Sequence, residues 1–169
     1  MLDGLFVLSD ESRWMSQNMD EKSALGKKAA AHFEKGYNCA QSVLLTMYEH
    51  WDGKSDLIPK VATGFGGGIG RCSSLCGALT GGVMAIGVKY GTNEPSVEKR
   101  LKTYRIAREF YEWFEKKHGS VMCRELIGYD LSVPGEMEKA RQAKVFDEKC
   151  AVFIRNVVEN LFELGERSK

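Results

Sequence analysis

The sequence predicts an all-α fold, a single-domain helical bundle of six or seven helices around a central glycine-rich loop. Apolar residues recur every three or four positions in one segment after another. No stretch alternates apolar and polar residues, and Asp52-Gly53 is flanked by helix-like sequence rather than by β-branched runs. Only Pro59, Pro95 and Pro134 interrupt the 169 residues, which leaves room for long helices. With 43% hydrophobic and 28% charged residues, a chain of this length suits one domain with its own core.

Residues 1–18 read as a weakly ordered lead-in, and 19–169 as one all-α domain, with Met19 an alternative start to Met1. Asp20 or Ser23 is a candidate cap for a first helix, which ends at Gly36. Asn38 opens a second, whose Cys39, Val43, Met47 and Trp51 recur every four residues. Ser55 starts a short third helix through Gly64. After the glycine loop an apolar helix runs from Leu75 to Tyr90. Ser96 caps a long amphipathic helix that ends at Gly119, with Leu101, Tyr104, Ala107, Phe110, Tyr111 and Phe114 along one stripe. Ser120 restarts a short helix. Beyond Pro134-Gly135 lies one long helix, or two joined near Phe146-Asp147.

The charge balance excludes some partners. With 24 basic and 23 acidic residues the net charge is +1, so no strong field gathers nucleic acid or an anionic membrane. No stretch is long enough to cross a bilayer, and Leu5-Phe6-Val7-Leu8 is too short for a signal-peptide core and follows Asp3. The expectation is a cytoplasmic protein. There, five cysteines are not a disulfide framework but redox, catalytic or metal-binding thiols, or small buried apolar residues.

Residues 64–82, GFGGGIGRCSSLCGALTGG, hold eight glycines in nineteen positions. The first half fits neither G-x-G-x-x-G nor a P-loop. It reads as a tight inter-helix turn with positive φ angles, or as a nest of amides to which Arg71 adds charge. In the second half, Gly77, Gly81 and Ala85 make a row without bulk, widened by Ala78 and Gly82, which admits a second backbone or a cofactor.

Cys39, Cys72, Cys76, Cys123 and Cys150 show no C-x-x-C, C-x-x-C-H or ferredoxin spacing. Their positions on helices say more. Caps at Asn38, Ser74, Ser120 and Asp147 place Cys39, Cys76, Cys123 and Cys150 in first turns, where free N–H groups stabilise a thiolate. Arg71 and Arg124 push the same way. His32, His50 and His118 read as surface residues without metal spacing, and His118 is well placed at a helix C-terminus. Tyr104, Phe110, Tyr111, Trp113 and Phe114 read as core or homodimer contact rather than a cofactor box.

The segment CGALTG, Cys76 to Gly81, resembles the CGAxxG signature of the C_GCAxxG_C_C family of redox-active proteins. NCAQSVL, GFGGGIGR, GVKYG, CRELIGYDL and EKCAVFIRNVVENL extend the likeness from Tyr37 to Leu161. The resemblance implies four functional cysteines, Cys39, Cys76, Cys123 and Cys150, with Cys72 and Arg71 accessory and Gly66, Gly67, Gly68, Gly77 and Gly81 next to a cofactor. The family is also similar to the non-haem portion of split-Soret cytochrome c, which implies an iron–sulfur centre without covalent haem.

Two chemistries compete. Four thiolates suit a [2Fe–2S] or [4Fe–4S] cluster used in electron transfer or sensing, with an oxidoreductase or electron-transfer protein as partner. The alternative is thiol–disulfide exchange, with Cys76 attacking and Cys39 or Cys72 resolving. A structural zinc site or a plain helical scaffold stands behind both.

Overall fold

A computed structural model describes residues 10–166, and among them the chain is all-α as predicted, with no strand. Helix α1 spans Asp10–Glu34, α2 Cys39–His50, α3 Gly77–Tyr90, α4 Val97–His118, α5 Cys123–Ile127, α6 Glu136–Gln142 and α7 Ala151–Glu166. A 3-10 helix covers Lys60–Phe65, and a π-helical stretch, Phe146–Cys150, leads into α7.

Several boundaries depart from the sequence reading. Helix α1 begins at Asp10, so residues 10–18 are helical rather than a loose lead-in; residues 1–9 of that lead-in lie outside the described residues. Neither Asp20 nor Ser23 caps it. The short third helix is a 3-10 turn that starts at Lys60 instead of Ser55. Asn38 and Ser96 cap α2 and α4 as expected, each accepting a hydrogen bond from the third helical N–H. The break in the last segment falls at Ala143-Lys144, where Lys144 has φ 53°, and not at Phe146-Asp147.

Helix α2 sits at the centre, against α1, α3 and α7, and α3 lies between α2, α4 and α7. Val43, Leu44, Met47, Ile86, Phe110 and Ile154 are fully buried there, each worth about 1.5–3 kcal/mol of burial. The α4 stripe divides. Phe110 and Phe114 are in the core, while Leu101 and Tyr104 are each 58% exposed. A second, smaller core joins Cys123, Ile127, Leu131, Ala140, Val145 and Cys150. Phe33, Cys39 and Phe153 pack against both cores and form the seam between them.

Close approach of α2 and α3 explains one glycine. A Cβ on Gly81 would lie 2.7 Å from the Ala40 carbonyl oxygen and 2.9 Å from the Ala40 Cα. Backbone cannot step aside without moving a helix. Gly81→Ala is therefore expected to cost about 2 kcal/mol of stability despite alanine's better helix propensity. On the same helix Gly87 faces open space, and Gly87→Ala should gain about 0.5–1 kcal/mol. Urea unfolding of the two variants checks both signs.

Candidate functional site

The four cysteines reach one place by four local devices. Cys39 is the first residue of α2, fixed by a reciprocal cap. The Asn38 side chain accepts from the Gln41 N–H at 3.0 Å, and the Gln41 side chain accepts from the Asn38 N–H at 3.2 Å. Asn38 Nδ2 also donates to the Thr63 carbonyl at 2.9 Å, which ties this helix start to the 3-10 helix. Gly66 makes room, since a Cβ there would lie 2.8 Å from the Asn38 Cβ.

Cys76 and Cys123 are joined through backbone. Leu75 and Met122 form an isolated antiparallel bridge. The Cys76 N–H donates to the Val121 carbonyl at 2.9 Å, and the Cys123 N–H donates to the Ser74 carbonyl at 2.6 Å. Cys76 is itself the N-cap of α3, and Met122 that of α5. Ser74 and Ser120 are therefore not the caps that the sequence suggested. Cys150 ends the π-helical stretch, not the first turn of a helix capped by Asp147. A π turn inserts an extra residue into a helix and turns the following side chains. Three thiols, not four, stand at helix N-termini.

The glycine loop is the brace behind them. Residues 67–71 all have positive φ, between 58° and 71°, so the chain turns left-handed there. Carbonyls of Gly64, Gly66, Gly67 and Gly68 accept from the N–H groups of Gly70, Arg71, Ser73 and Ser74 at 2.8–3.1 Å. Ile69, Arg71 and Ser73 hold positive φ with side chains, at about 1–3 kcal/mol of strain each. Buried Ser73 anchors the far side, where its Oγ accepts from the Leu131 N–H at 2.6 Å.

These elements enclose a cavity of about 640 Å³ lined by Cys39, Cys76, Cys123 and Cys150. Phe33, Leu126, Ile127, Leu131, Phe146 and Phe153 supply apolar wall, and Arg71 and Arg141 stand at its exposed edge. Gly66, Gly67 and Gly77 line it as well. A Cβ on Gly77 would come within 3.0 Å of the Cys39 Cβ. Gly68 does not line the cavity but lets Cys123 approach, and Gly81 faces the α2 backbone. Cys72 is exposed and outside the lining.

The thiols are not the acidic ones that helix ends suggested. Burial pushes Cys76 up to about 12 from the usual 9.0, helped by the nearby Cys39, against a smaller opposite pull from the Leu79 and Ala78 N–H groups. Burial, with Cys76 and Cys39 close by, likewise raises Cys123 to about 12. Cys39 is raised well above its usual value by a hydrogen bond to Cys150, by burial and by the Cys150 charge. Desolvation outweighs the helix ends because the cavity is apolar and holds several groups that would be anionic together.

A pH dependence follows. Unfolded thiols ionise near 9, whereas folded Cys76 and Cys123 hold their protons to about 12. The folded state binds more protons in that window, so stability is complete below about pH 9 and falls as pH rises toward 12. Urea titrations of metal-free protein from pH 8 to pH 11 should show the loss, and it should shrink in Cys123→Ala.

Histidine placement also differs from expectation. His32 is buried, with Nε2 3.2 Å from Glu49 Oε2. His118 sits among Trp113, Phe114 and Phe153, and burial followed by the Lys117 charge lowers its pKa. Neither is a surface residue. The sequence reading missed the apolar wall and Arg141. Phe146 and Phe153 flank Cys150 and were within reach of the helical period, but Arg141 was hidden by the misplaced helix break.

Among the described residues no three or more His, Cys, Asp or Glu side chains converge on a point where they could hold one metal ion. The sulfurs share a cavity instead of a centre. No helix among these residues is long and apolar enough to cross a membrane. The model of the family described as putative redox-active protein (C_GCAxxG_C_C) matches residues 37–164, which contain all four cavity cysteines and the glycine loop. No curated protein matches the chain, and no solved structure does.

Proposed function

Since the chain belongs to the C_GCAxxG_C_C family, described as putative redox-active protein, we propose that Cys39, Cys76, Cys123 and Cys150 hold an iron–sulfur cluster used for electron transfer or sensing. One observation carries the reading: four thiols from four separate elements line a single cavity. A single zinc ion needs its four ligands about 2.3 Å from one point, and the sulfurs here do not meet that way. A cluster distributes its thiolates over several irons, so ligands spread around a cavity suit it better. Glycines at 66, 67 and 77 leave the walls thin where backbone comes nearest.

Such a cluster supplies reversible one-electron chemistry. The chain's own part is to bind, orient and exclude water. Cys76 and Cys123 are fixed by the backbone bridge between them, and Cys39 by its capping box. Phe33, Phe146 and Phe153 keep solvent from the sulfurs. The N–H groups of Ala78 and Leu79, at the start of α3, favour negative charge on Cys76. Thiols held protonated by burial must release their protons when the cluster binds, so loading should improve as pH rises toward 9.

The rival exchange reaction, with Cys76 attacking and Cys39 or Cys72 resolving, has less support. Burial holds the Cys76 thiol at about 12, which disfavours the attacking thiolate, and Cys72 lies outside the cavity. Purification without oxygen tests the proposal. Brown protein absorbing beyond about 400 nm, with iron and sulfide in proportion to chain, is the expected result. Colourless protein that takes up neither on anaerobic reconstitution overturns it.

A further inference from the structure

Helix α4 carries a face that the fold leaves uncovered. The helix packs on α3, and Phe110 and Phe114 are buried in the core. A homodimer contact on this helix therefore has to use its other side. There Glu98, Lys102, Arg105, Glu109, Glu112 and Lys116 are all exposed. Steps of four and three residues alternate between them, the spacing that keeps one line of a helix facing a neighbour over several turns. Val97, Leu101 and Tyr104 run beside the charges, exposed by 57%, 58% and 58%. Opposite charges four residues apart commonly pair along a helix. Among the described residues, however, none of these six is ion-paired.

From the N-terminus the six signs run negative, positive, positive, negative, negative, positive. Read backwards with every sign inverted, the series is unchanged. A second copy laid antiparallel and centred on Ala107 therefore meets opposite charge at each of the six. Glu98 faces the partner's Lys116, Lys102 the partner's Glu112, and Arg105 the partner's Glu109. Two-fold symmetry repeats each pair. A parallel copy would set every charge against itself.

We propose that this outward face of α4 is a homodimer interface, in which two copies of the chain associate antiparallel through complementary charges. The proposal is independent of the cluster reading, since no α4 residue lines the cysteine cavity. Exposed ion pairs are individually weak, and Arg108 meets its own copy beside the two-fold axis. The dimer is therefore weak and salt-sensitive, and its charges mainly fix orientation and partner.

Sedimentation velocity of the full chain tests this. Wild-type chain is expected to dimerise at about 0.01 M salt, with a dissociation constant about tenfold or more higher at about 0.5 M. Arg105→Glu and Glu109→Arg each bring like charges together twice, and each should weaken association by about tenfold or more. Mixed with one another, these two variants should form a heterodimer. The exchange variant Arg105→Glu, Glu109→Arg should dimerise with itself and not with wild type. Both positions are exposed, and urea unfolding verifies that each variant keeps its fold. Wild-type chain that stays monomeric at low salt overturns the proposal and leaves the face to a different protein. A dimer that survives Arg105→Glu, or single variants that stay monomeric when mixed, overturns the interface. Association of the exchange variant with wild type overturns the antiparallel arrangement.

Discussion

Cys76→Ser is expected to remove nearly all iron-dependent absorbance from anaerobically reconstituted protein, while Cys72→Ser leaves it unchanged. Cys76 lines the cavity at the start of α3, is 5% exposed, and feels the positive helix end at Ala78 and Leu79. A serine oxygen there is a harder donor on a shorter bond, and its proton is still more difficult to remove in an apolar wall. Bound iron should fall by about tenfold or more, a loss at least as large as that from outer-shell changes at metal sites. Cys72 is exposed and outside the lining, so its thiol contributes nothing to the cage. Iron and sulfide analysis with visible spectra distinguishes the two variants. Equal loss in both would remove the distinction between the four cavity thiols and the fifth.

Gly68→Ala is expected to be among the most damaging single substitutions in the chain. Its φ is +71°, a region that alanine enters at a cost. A Cβ there would also lie 2.6 Å from the Ser74 nitrogen and 2.7 Å from the Cys123 Cβ. The Ser74 N–H donates back to the Gly68 carbonyl at 3.0 Å, and the Ser74 carbonyl accepts from the Cys123 N–H. One methyl group therefore pushes on the bridge that joins Cys76 to Cys123. A loss of about 3–5 kcal/mol is expected from the backbone and packing penalties together. Gly70 separates the two causes. Its φ is +58° but a Cβ there meets nothing within 4 Å, so Gly70→Ala should cost only about 1 kcal/mol. Urea midpoints give the comparison, and similar costs at both positions would mean that φ alone decides.

Much of the arrangement was legible in the order of residues. Caps at Asn38 and Ser96, and the stop at Gly119, are short-range hydrogen-bond or φ effects, so α2 and α4 were placed nearly to the residue. Capping also misled. Ser74 and Ser120 look like N-caps, but the chain there is recruited into the Leu75–Met122 bridge, which moves each helix start by one or more residues. Lys144 at φ 53° gives no sign in a lysine-containing helical pattern, so the break and the π stretch were misplaced.

Thiol acidity failed for a different reason. A helix N-terminus is a local feature and lowers a thiol pKa wherever the thiol is solvated. Whether the Cys76 sulfur is wrapped in Phe33, Leu126 and Phe153 depends on segments 43 to 77 residues away along the chain and adjacent only in space. Burial then reverses the sign.

By itself, the sequence determined the all-α class, the main helices and the set of four cysteines set apart by their motif. These rest on periodicity, capping and residue identity, which are local. Only the tertiary structure decided that four of the sulfurs share one cavity while Cys72 is excluded, and that Gly81 serves helix packing whereas Gly77 lines the site. Those outcomes depend on which segments meet across the seam between the two cores, and no short window of residues contains both sides of it.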